Sequence, residues 1–245
     1  MFALWMADLL FPPRCPVCGE PVSMEHRIPL YEGKPGEASA YVCGACFSSF
    51  HFLPDAAQKV PDTAFRSFDE CRAVLEYDAL GSALMAQVKY RSKKYLLSFF
   101  AWLMAEKLGQ WMLEEGFDCL VPVPVHKSRR FRRGFNQAEL LAMQLSERLQ
   151  IPVRSDVLYR QKRTDAMKDL APDRRILNLQ KAFRAAKALP ASARPLVIDD
   201  IFTTGATMEA CSAALKKAGA ERVSGACIYR TPSPKDLLPE EGAGQ

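Results

Sequence analysis

The sequence has no apolar segment long enough to cross a membrane. A membrane-spanning helix needs roughly 18 or more apolar residues, and the best candidate, 95–105, is shorter and has charged residues on both sides. Residues 1–11 contain no basic region and no small-residue cleavage site, and Asp8 interrupts their apolar pattern, which argues against a signal peptide. We therefore expect a cytoplasmic chain without a transmembrane segment.

The sequence also lacks internal repeats and the compositional bias of disordered or collagen-like chains. Of its 245 residues, 49% are hydrophobic and 25% are charged, which is ordinary for a globular protein with a core of normal size. The net charge of +5 is unevenly distributed. Between His126 and Gln137 there is no acidic residue, but there are five basic ones: Lys127, Arg129, Arg130, Arg132 and Arg133. Such a concentration of positive charge favours an anionic partner.

Four of the eight cysteines form two C-x2-C pairs, Cys15 with Cys18 and Cys43 with Cys46. Each tight turn, assisted by a glycine at 19 or 44, directs two thiolates at one point, which suits a single tetrahedral Zn2+. Disulfides or a redox pair are the alternatives, and disulfides are unusual in the cytoplasm. Because four protein ligands leave no open position, we predict a structural zinc site. We expect the scattered cysteines to be buried: Cys71, Cys119, Cys211 and Cys227.

Strands and helices alternate from residue 71 onward. Hydrophobic periodicity predicts strands over 72–77, 118–125, 153–159, 195–200 and 222–229. It predicts helices over 2–10, 79–90, 94–115, 135–149, 174–183 and 205–218. The alternation predicts an α/β fold with a parallel sheet. The predicted organisation is a helix and zinc-ribbon-like module over 1–52, a linker over 53–70, an α/β domain over 71–230 and a disordered tail over 231–245.

The most informative segment is 196–207, where an apolar run ends in Asp199 and Asp200 and a helix follows. Unpaired N–H groups at a helix N-terminus bind anions, which predicts a phosphate-binding turn of Thr203, Thr204, Gly205, Ala206 and Thr207. The segment is neither a Walker A loop nor a G-x-G-x-x-G motif. Two carboxylates repel a phosphate but accept hydrogen bonds from a vicinal diol. The pattern therefore indicates a ribose 5-phosphate site, and the alternative is an ordinary helix cap after a strand.

This segment resembles the motif with which type I phosphoribosyltransferases bind 5-phosphoribosyl 1-pyrophosphate (PRPP). The resemblance implies that Asp199 and Asp200 hold the 2- and 3-hydroxyls of the ribose and are the candidates for catalysis. It implies that residues 203–207 bind the 5-phosphate and that Mg2+ accompanies the diphosphate. Loss of pyrophosphate would leave an oxocarbenium-like ribose, to which a base or an amine adds.

The chain as a whole resembles the ComF family, which consists of competence-associated proteins with a zinc-binding N-terminus and a phosphoribosyltransferase-like domain. The resemblance covers residues 1–230 and includes the cysteine pairs, Lys89-Tyr-Arg91 and the stretch from 121 to 137. It implies a pyrophosphate loop that contains Lys127, Arg129, Arg130, Arg132, Arg133 and Gly134. It also implies a mobile loop that contains Arg160, Arg163 and Thr164. Met167 departs from the glutamine that the family pattern usually has there.

The basic stretch has a second interpretation, because Phe131 and Phe135 are interleaved with its arginines. Cations that follow a backbone and aromatics that stack on bases suit single-stranded nucleic acid, although either ring could instead anchor the segment on the core. The resemblance implies a PRPP-binding protein that assists uptake of single-stranded DNA in natural transformation, with competence-machinery partners at the inner membrane. The alternatives are an active phosphoribosyltransferase with an unidentified base or amine acceptor, and a zinc-stapled interaction module whose phosphate site is regulatory.

Overall fold

A computed structural model describes residues 14–22, 27–29, 41–60, 67–91, 93–161 and 182–232. In chain order its strands are β1 (Arg27–Pro29), β2 (Tyr41–Cys43), β3 (Glu70–Glu76), β4 (Cys119–Pro122), β5 (Leu158–Arg160), β6 (Phe183–Ala185), β7 (Pro195–Phe202) and β8 (Ser224–Arg230). Its helices are α1 (Gly44–Phe47), α2 (Asp55–Gln58), α3 (Ala79–Arg91), α4 (Tyr95–Glu114), α5 (Lys127–Arg133), α6 (Gln137–Leu149) and α7 (Ala206–Lys217).

The central sheet has four parallel strands in the order β3-β8-β7-β4. One face carries the apolar side chains of α3, α4 and α6, and the other face carries those of α7 and of the β5–β6 pair. Burial on both faces explains why β7 and β8 are almost continuously apolar, as parallel strands usually are. The carboxyl ends of all four strands meet at one edge, which is where open α/β sheets bind ligands.

The cysteine-containing segment packs on the first face of the sheet. Phe47, Phe50 and Phe52 form an aromatic cluster, and the ring of Phe50 lies 5.6 Å from that of Phe99 in α4. The Gln87 side chain donates a hydrogen bond of 3.0 Å to the carbonyl of Pro16. The N-terminal segment therefore shares one hydrophobic core with the helices of the sheet.

Most predicted elements of the α/β domain are present, and the largest differences lie between α6 and β7. The strand predicted over 153–159 is shorter, because a turn closed by Arg154 and Asp156 (Nε–Oδ1, 2.9 Å) separates Val153 from β5. The helix predicted over 174–183 is wrong at its end, since Phe183 begins β6 and pairs antiparallel with Arg160. The other residues of that helix, like the helix over 2–10 and most of the tail, lie outside the described residues.

Part of the predicted linker runs along the sheet. Phe52 and Lys59 form antiparallel bridges to Leu75 and Arg72 of β3, and α2 lies between them. The backbone N–H of Leu53 donates to Val74 O at 2.9 Å. This segment thus covers the edge strand, whose N–H and C=O groups would otherwise be unpaired.

None of the helices in the described part of the chain combines the length and the apolar composition that a membrane crossing requires.

Replacing Gly81 by alanine should lower the free energy of unfolding by about 1–3 kcal/mol through overpacking. A Cβ at this position would lie 2.7 Å from the Tyr229 ring, which is buried and meets Tyr77 and Phe100 edge to face. Urea denaturation followed by circular dichroism measures the change. Ser82→Ala, at the exposed next position, serves as the control. A more stable G81A protein, as helix propensity alone would give, would contradict the prediction.

Candidate functional site

Asp199 and Asp200 lie near the carboxyl end of β7, as the sequence predicts. Because they are consecutive in a strand, their side chains point to opposite faces of the sheet, and the N–H of Asp200 donates to Asp199 Oδ1 at 2.9 Å. Asp199 borders a small cavity that is also lined by Thr203, Gly205 and Thr207. Burial and the neighbouring Asp200 carboxylate raise the pKa of Asp199 well above its usual value. Asp199 therefore faces the predicted phosphate turn.

Asp200 is buried and has a cationic partner. The Lys89 ammonium, at the end of α3, lies 2.6 Å from Asp200 Oδ2, and both side chains are largely buried. The Gln137 amide at the start of α6 donates to the same oxygen at 3.4 Å. A buried carboxylate without a partner is costly, so Lys89 supplies the counter-charge that allows this acid to lie at the end of a core strand.

The turn after the acid pair has the features of an anion site. Gly205 adopts a left-handed conformation (φ 79°) at the N-cap of α7 and supplies no side-chain cap. The N–H groups of the first turn of α7 are therefore not satisfied by a capping side chain. Thr203 and Thr204 are exposed, Thr207 is half-buried and Ala206 is buried. The predicted turn thus combines exposed hydroxyls with a helix N-terminus.

The segment that resembles a pyrophosphate loop is helical. His126 caps α5 by accepting a hydrogen bond from the N–H of Ser128 at 3.2 Å, and Gly134 ends it in a left-handed conformation (φ 77°). Gly134 therefore terminates a helix, a role that few other residues fill without strain. Four basic side chains of α5 are exposed: Lys127, Arg129, Arg130 and Arg132.

Arg133 differs from the other basic residues of α5, because it is half-buried and turned toward the acid pair. Its Nη1 donates to Gln137 Oε1 at 3.2 Å, and its guanidinium lies 5.8 Å from the centre of the Tyr90 ring. Gln137 in turn donates to Asp200. Arg133 thus connects the basic helix to the acid pair.

The two phenylalanines of the basic stretch have different environments. Phe131 is 92% exposed, whereas Phe135 is 6% exposed and belongs to the core. The ammonium of Lys94 lies 5.0 Å from the centre of the Phe135 ring. Phe135 therefore anchors the segment, and Phe131 is the ring available for stacking.

Arg160 is the one predicted mobile-loop residue within the described part of the chain. Its guanidinium lies 5.2 Å from the centre of the Phe183 ring. Burial and the charge of Arg129 lower its pKa, while the Asp199 carboxylate acts in the opposite direction. Arg160 is therefore within electrostatic range of both α5 and the acid pair. Arg163, Thr164 and Met167 lie outside the described residues.

The four cysteines of the C-x2-C pairs converge. Their Sγ atoms all lie within 4.8 Å of one another, and those of Cys18 and Cys43 are 3.9 Å apart. A tetrahedral zinc with Zn–S bonds of about 2.3 Å would hold its sulfurs about 3.8 Å apart. All four thiols are free of disulfides. The cluster formed by Cys15, Cys18, Cys43 and Cys46 can therefore hold a metal ion such as zinc.

The backbone around the cluster favours the thiolate form of Cys15. Gly19, in a left-handed conformation (φ 78°), closes the first turn by donating to Cys15 O at 2.9 Å. Burial acts to raise the pKa of Cys15, but backbone N–H groups, chiefly those of Cys18 and Cys43, lower it to about 7. Gly44 begins the short helix α1 and has no left-handed conformation.

Sequence reasoning assigned no role to Lys89 or Gln137. Gln137 could have been found, since it opens the second helix after β4, and β4 is a neighbour of β7 in the parallel sheet. The resemblance to the ComF family singled out Lys89-Tyr-Arg91 but implied no role for Lys89, because nothing in the sequence places the end of α3 beside β7.

Comparisons with known proteins show to which family the chain belongs. Competence protein F of Haemophilus influenzae (strain ATCC 51907 / DSM 11121 / KW20 / Rd) is 32% identical over 193 residues, which cover 74% of this chain and 81% of that protein. The chain belongs to the ComF family. Another relative, the DNA utilization protein YhgH of Escherichia coli (strain K12), is 29% identical over 89% of this chain and 90% of its own length.

Membership of the ComF family confirms the resemblance predicted from the sequence. The family model described as the phosphoribosyl transferase domain matches residues 132–238, which include the acid pair and the predicted phosphate turn. Competence protein ComFC of Bacillus subtilis (strain 168) is 27% identical over 65% of this chain and 64% of its own length. The fold is thus the parallel-sheet α/β fold of phosphoribosyltransferases, which confirms the predicted fold class.

Purified protein should contain one zinc ion per chain, and the double substitution Cys15→Ser with Cys43→Ser should remove it. The reason is that each pair would lose one of its two thiolates, and two remaining ligands bind zinc weakly. Metal content is measured by inductively coupled plasma mass spectrometry. Cys119→Ser, outside the cluster, should retain the metal. A wild-type protein that stays metal-free after purification with zinc would contradict the assignment.

Proposed function

We propose that this ComF protein binds PRPP or a related phosphorylated ribose and assists the uptake of single-stranded DNA in natural transformation. The observation that carries the proposal is that the basic helix α5 lies next to the acid pair. Strands β4 and β7 are parallel neighbours, and the N–H of Val123 donates to Ile198 O at 2.9 Å. The basic helix that follows β4 therefore starts beside the strand that ends in the acid pair.

The sugar-phosphate part of the proposal follows from the chemistry of β7 and α7. The carboxylates of Asp199 and Asp200 would accept hydrogen bonds from the ribose hydroxyls. The turn of residues 203–207 would hold the 5-phosphate with N–H groups, hydroxyls and the favourable end of the helix dipole. Arg160, half-buried and within electrostatic range of Asp199, would add positive charge near the ligand.

Two metal ions have different roles in this proposal. Zn2+ in the cysteine cluster would be structural, because four thiolates leave no position for a substrate. Mg2+ would arrive with the diphosphate of PRPP, because Mg2+ is usually bound through substrate phosphates and few carboxylates. One oxygen of Asp200 already bonds Lys89, which agrees with a site that is not an all-protein Mg2+ cage.

The DNA part of the proposal rests on the outer surface of α5. Lys127, Arg129, Arg130 and Arg132 would follow a phosphate backbone, and the exposed ring of Phe131 would stack on a base. Arg130 also lies 3.4 Å from Glu139 (Nη2–Oε2) on an exposed surface, where such a pair is weak enough to be exchanged. The names Competence protein F and DNA utilization protein of the relatives support a role with DNA. Proteins of the competence machinery at the inner membrane would be the partners.

One assay distinguishes a protein that only binds PRPP from one that also transfers its ribose 5-phosphate. Release of pyrophosphate from PRPP is followed across a panel of bases and amines. Release above the rate without protein, lost in an Asp199 and Asp200 double variant, would show that the same site also transfers ribose 5-phosphate to an acceptor.

PRPP with Mg2+ should raise the melting temperature, and the double substitution Asp199→Asn with Asp200→Asn should abolish the shift. A ligand that binds only the folded state stabilises it by about 2.7 kcal/mol at one hundred times its dissociation constant. Differential scanning fluorimetry measures the shift. Asp156→Asn, on an exposed carboxylate paired with Arg154 and Lys187, is the matched control and should keep it. An equal shift in the double variant would refute the site.

Alanine at Arg129, Arg130 and Arg132 should weaken binding of a single-stranded oligonucleotide and flatten its salt dependence. Each lost phosphate contact reduces the slope of log K against log salt by about 0.7 for single strands. Phe131→Ala should instead weaken binding by about 1–3 kcal/mol, the stacking contribution, and leave the slope unchanged. Fluorescence anisotropy at several salt concentrations measures both effects.

The control for the DNA experiment is Lys217→Ala. Lys217 is exposed at the last turn of α7, at the end of that helix opposite the phosphate turn. If the triple arginine variant bound DNA with the affinity and slope of wild type, α5 would not be the DNA surface. If the Lys217 variant lost about one third of the binding free energy that the triple arginine variant loses, only the overall charge would matter for DNA binding.

A further inference from the structure

The two donors of Asp200 bond to the same oxygen of its carboxylate. Lys89 Nζ lies 2.6 Å and Gln137 Nε2 lies 3.4 Å from Oδ2. Both donors come from helices on the same face of the sheet, α3 and α6. The orientation of the carboxylate is therefore fixed by a short ion pair and a longer hydrogen bond.

Lys89 is held in place by the last turn of α3. Val88 is fully buried in the core, so the backbone of this turn is anchored to the sheet. Tyr90, the next residue, is on the surface and contacts the Arg133 guanidinium. Arg133 bonds Gln137, and Gln137 bonds Asp200. These contacts close a ring from α3 through β7, α6 and α5 back to α3.

The charge of Lys89 acts on both acids. Two adjacent carboxylates in a buried place repel each other, and such a pair readily takes up a shared proton. Lys89 opposes this, since its charge favours the ionised form of Asp199 as well as pairing with Asp200. A protonated acid would lose part of its capacity to accept hydrogen bonds from a diol.

We propose that Lys89 is a positioning residue for the ligand site: its ammonium, assisted by Gln137, fixes the Asp200 carboxylate and so orients it for a ribose hydroxyl. The proposal rests on the function proposed above. It states that Lys89 acts on the sugar through Asp200 and does not bind the phosphate groups directly. Removing Lys89 should therefore reduce only the contribution that the ribose hydroxyls make to ligand affinity.

Lys89→Met tests this, because methionine keeps an unbranched apolar side chain and removes the ammonium. Calorimetric titrations in Mg2+ use three probes: PRPP, ribose 5-phosphate and inorganic pyrophosphate. Losing a hydrogen bond to a charged group should lower the affinity for PRPP and for ribose 5-phosphate by about 10- to 100-fold. Pyrophosphate affinity should change no more than in the control Arg91→Met, which removes an exposed charge two residues away. Lys89→Arg should restore most of the affinity for the ribose ligands.

The outcomes separate the two proposals. Equal losses of affinity for pyrophosphate and ribose 5-phosphate in K89M would overturn the positioning role, since they would mean that Lys89 binds the anion itself. Unchanged affinity for ribose 5-phosphate in K89M would overturn it as well. A wild-type protein that binds neither ribose ligand would refute the proposed function itself. Melting curves verify folding, and Lys89→Gln, with the same expected pattern, replaces K89M if that variant does not fold.

Discussion

The site depends on how two carboxylates are accommodated at the end of a buried strand. Asp199 and Asp200 follow four buried residues of β7, where ionised groups are stable only with compensating charge or hydrogen bonds. Lys89 supplies such a charge to Asp200, whereas burial and the neighbouring carboxylate raise the pKa of Asp199 well above its usual value. The phosphate turn and the basic helix adjoin this arrangement because parallel strands end at a common edge.

The last turn of α3 connects the three functional regions of the chain. Gln87 bonds the backbone between the first two cysteines, Lys89 bonds the acid pair, and Tyr90 contacts the basic helix through Arg133. The cysteine cluster is therefore attached to the same helical turn that neutralises Asp200. A structural metal in this place would stabilise the wall of the ligand site as well as the N-terminal segment.

Much of the fold could be predicted because its patterns are strong and local. The apolar stripe of α4 and the continuous apolar run of β7 each indicate one kind of element, and the structure has them within a few residues of the prediction. Elements held by non-local contacts were missed. β6 pairs with β5 across a long segment, and residues 52–60 lie along β3 although Pro54 and Pro61 suggest a linker. The helix α5 was missed because its many charges leave no apolar stripe.

The sequence by itself determined the residue types and their order: two cysteine pairs, a basic stretch, and two acids before a glycine-containing helix start. Those features depend on short spacings, which local backbone geometry converts directly into structure. Only the tertiary structure decided which of these groups meet. It turned Arg133 inward and left Phe131 exposed, and it brought Lys89 and Gln137 to one oxygen of Asp200. Such contacts join residues far apart in the chain, and their partners are chosen by the way helices pack across the sheet.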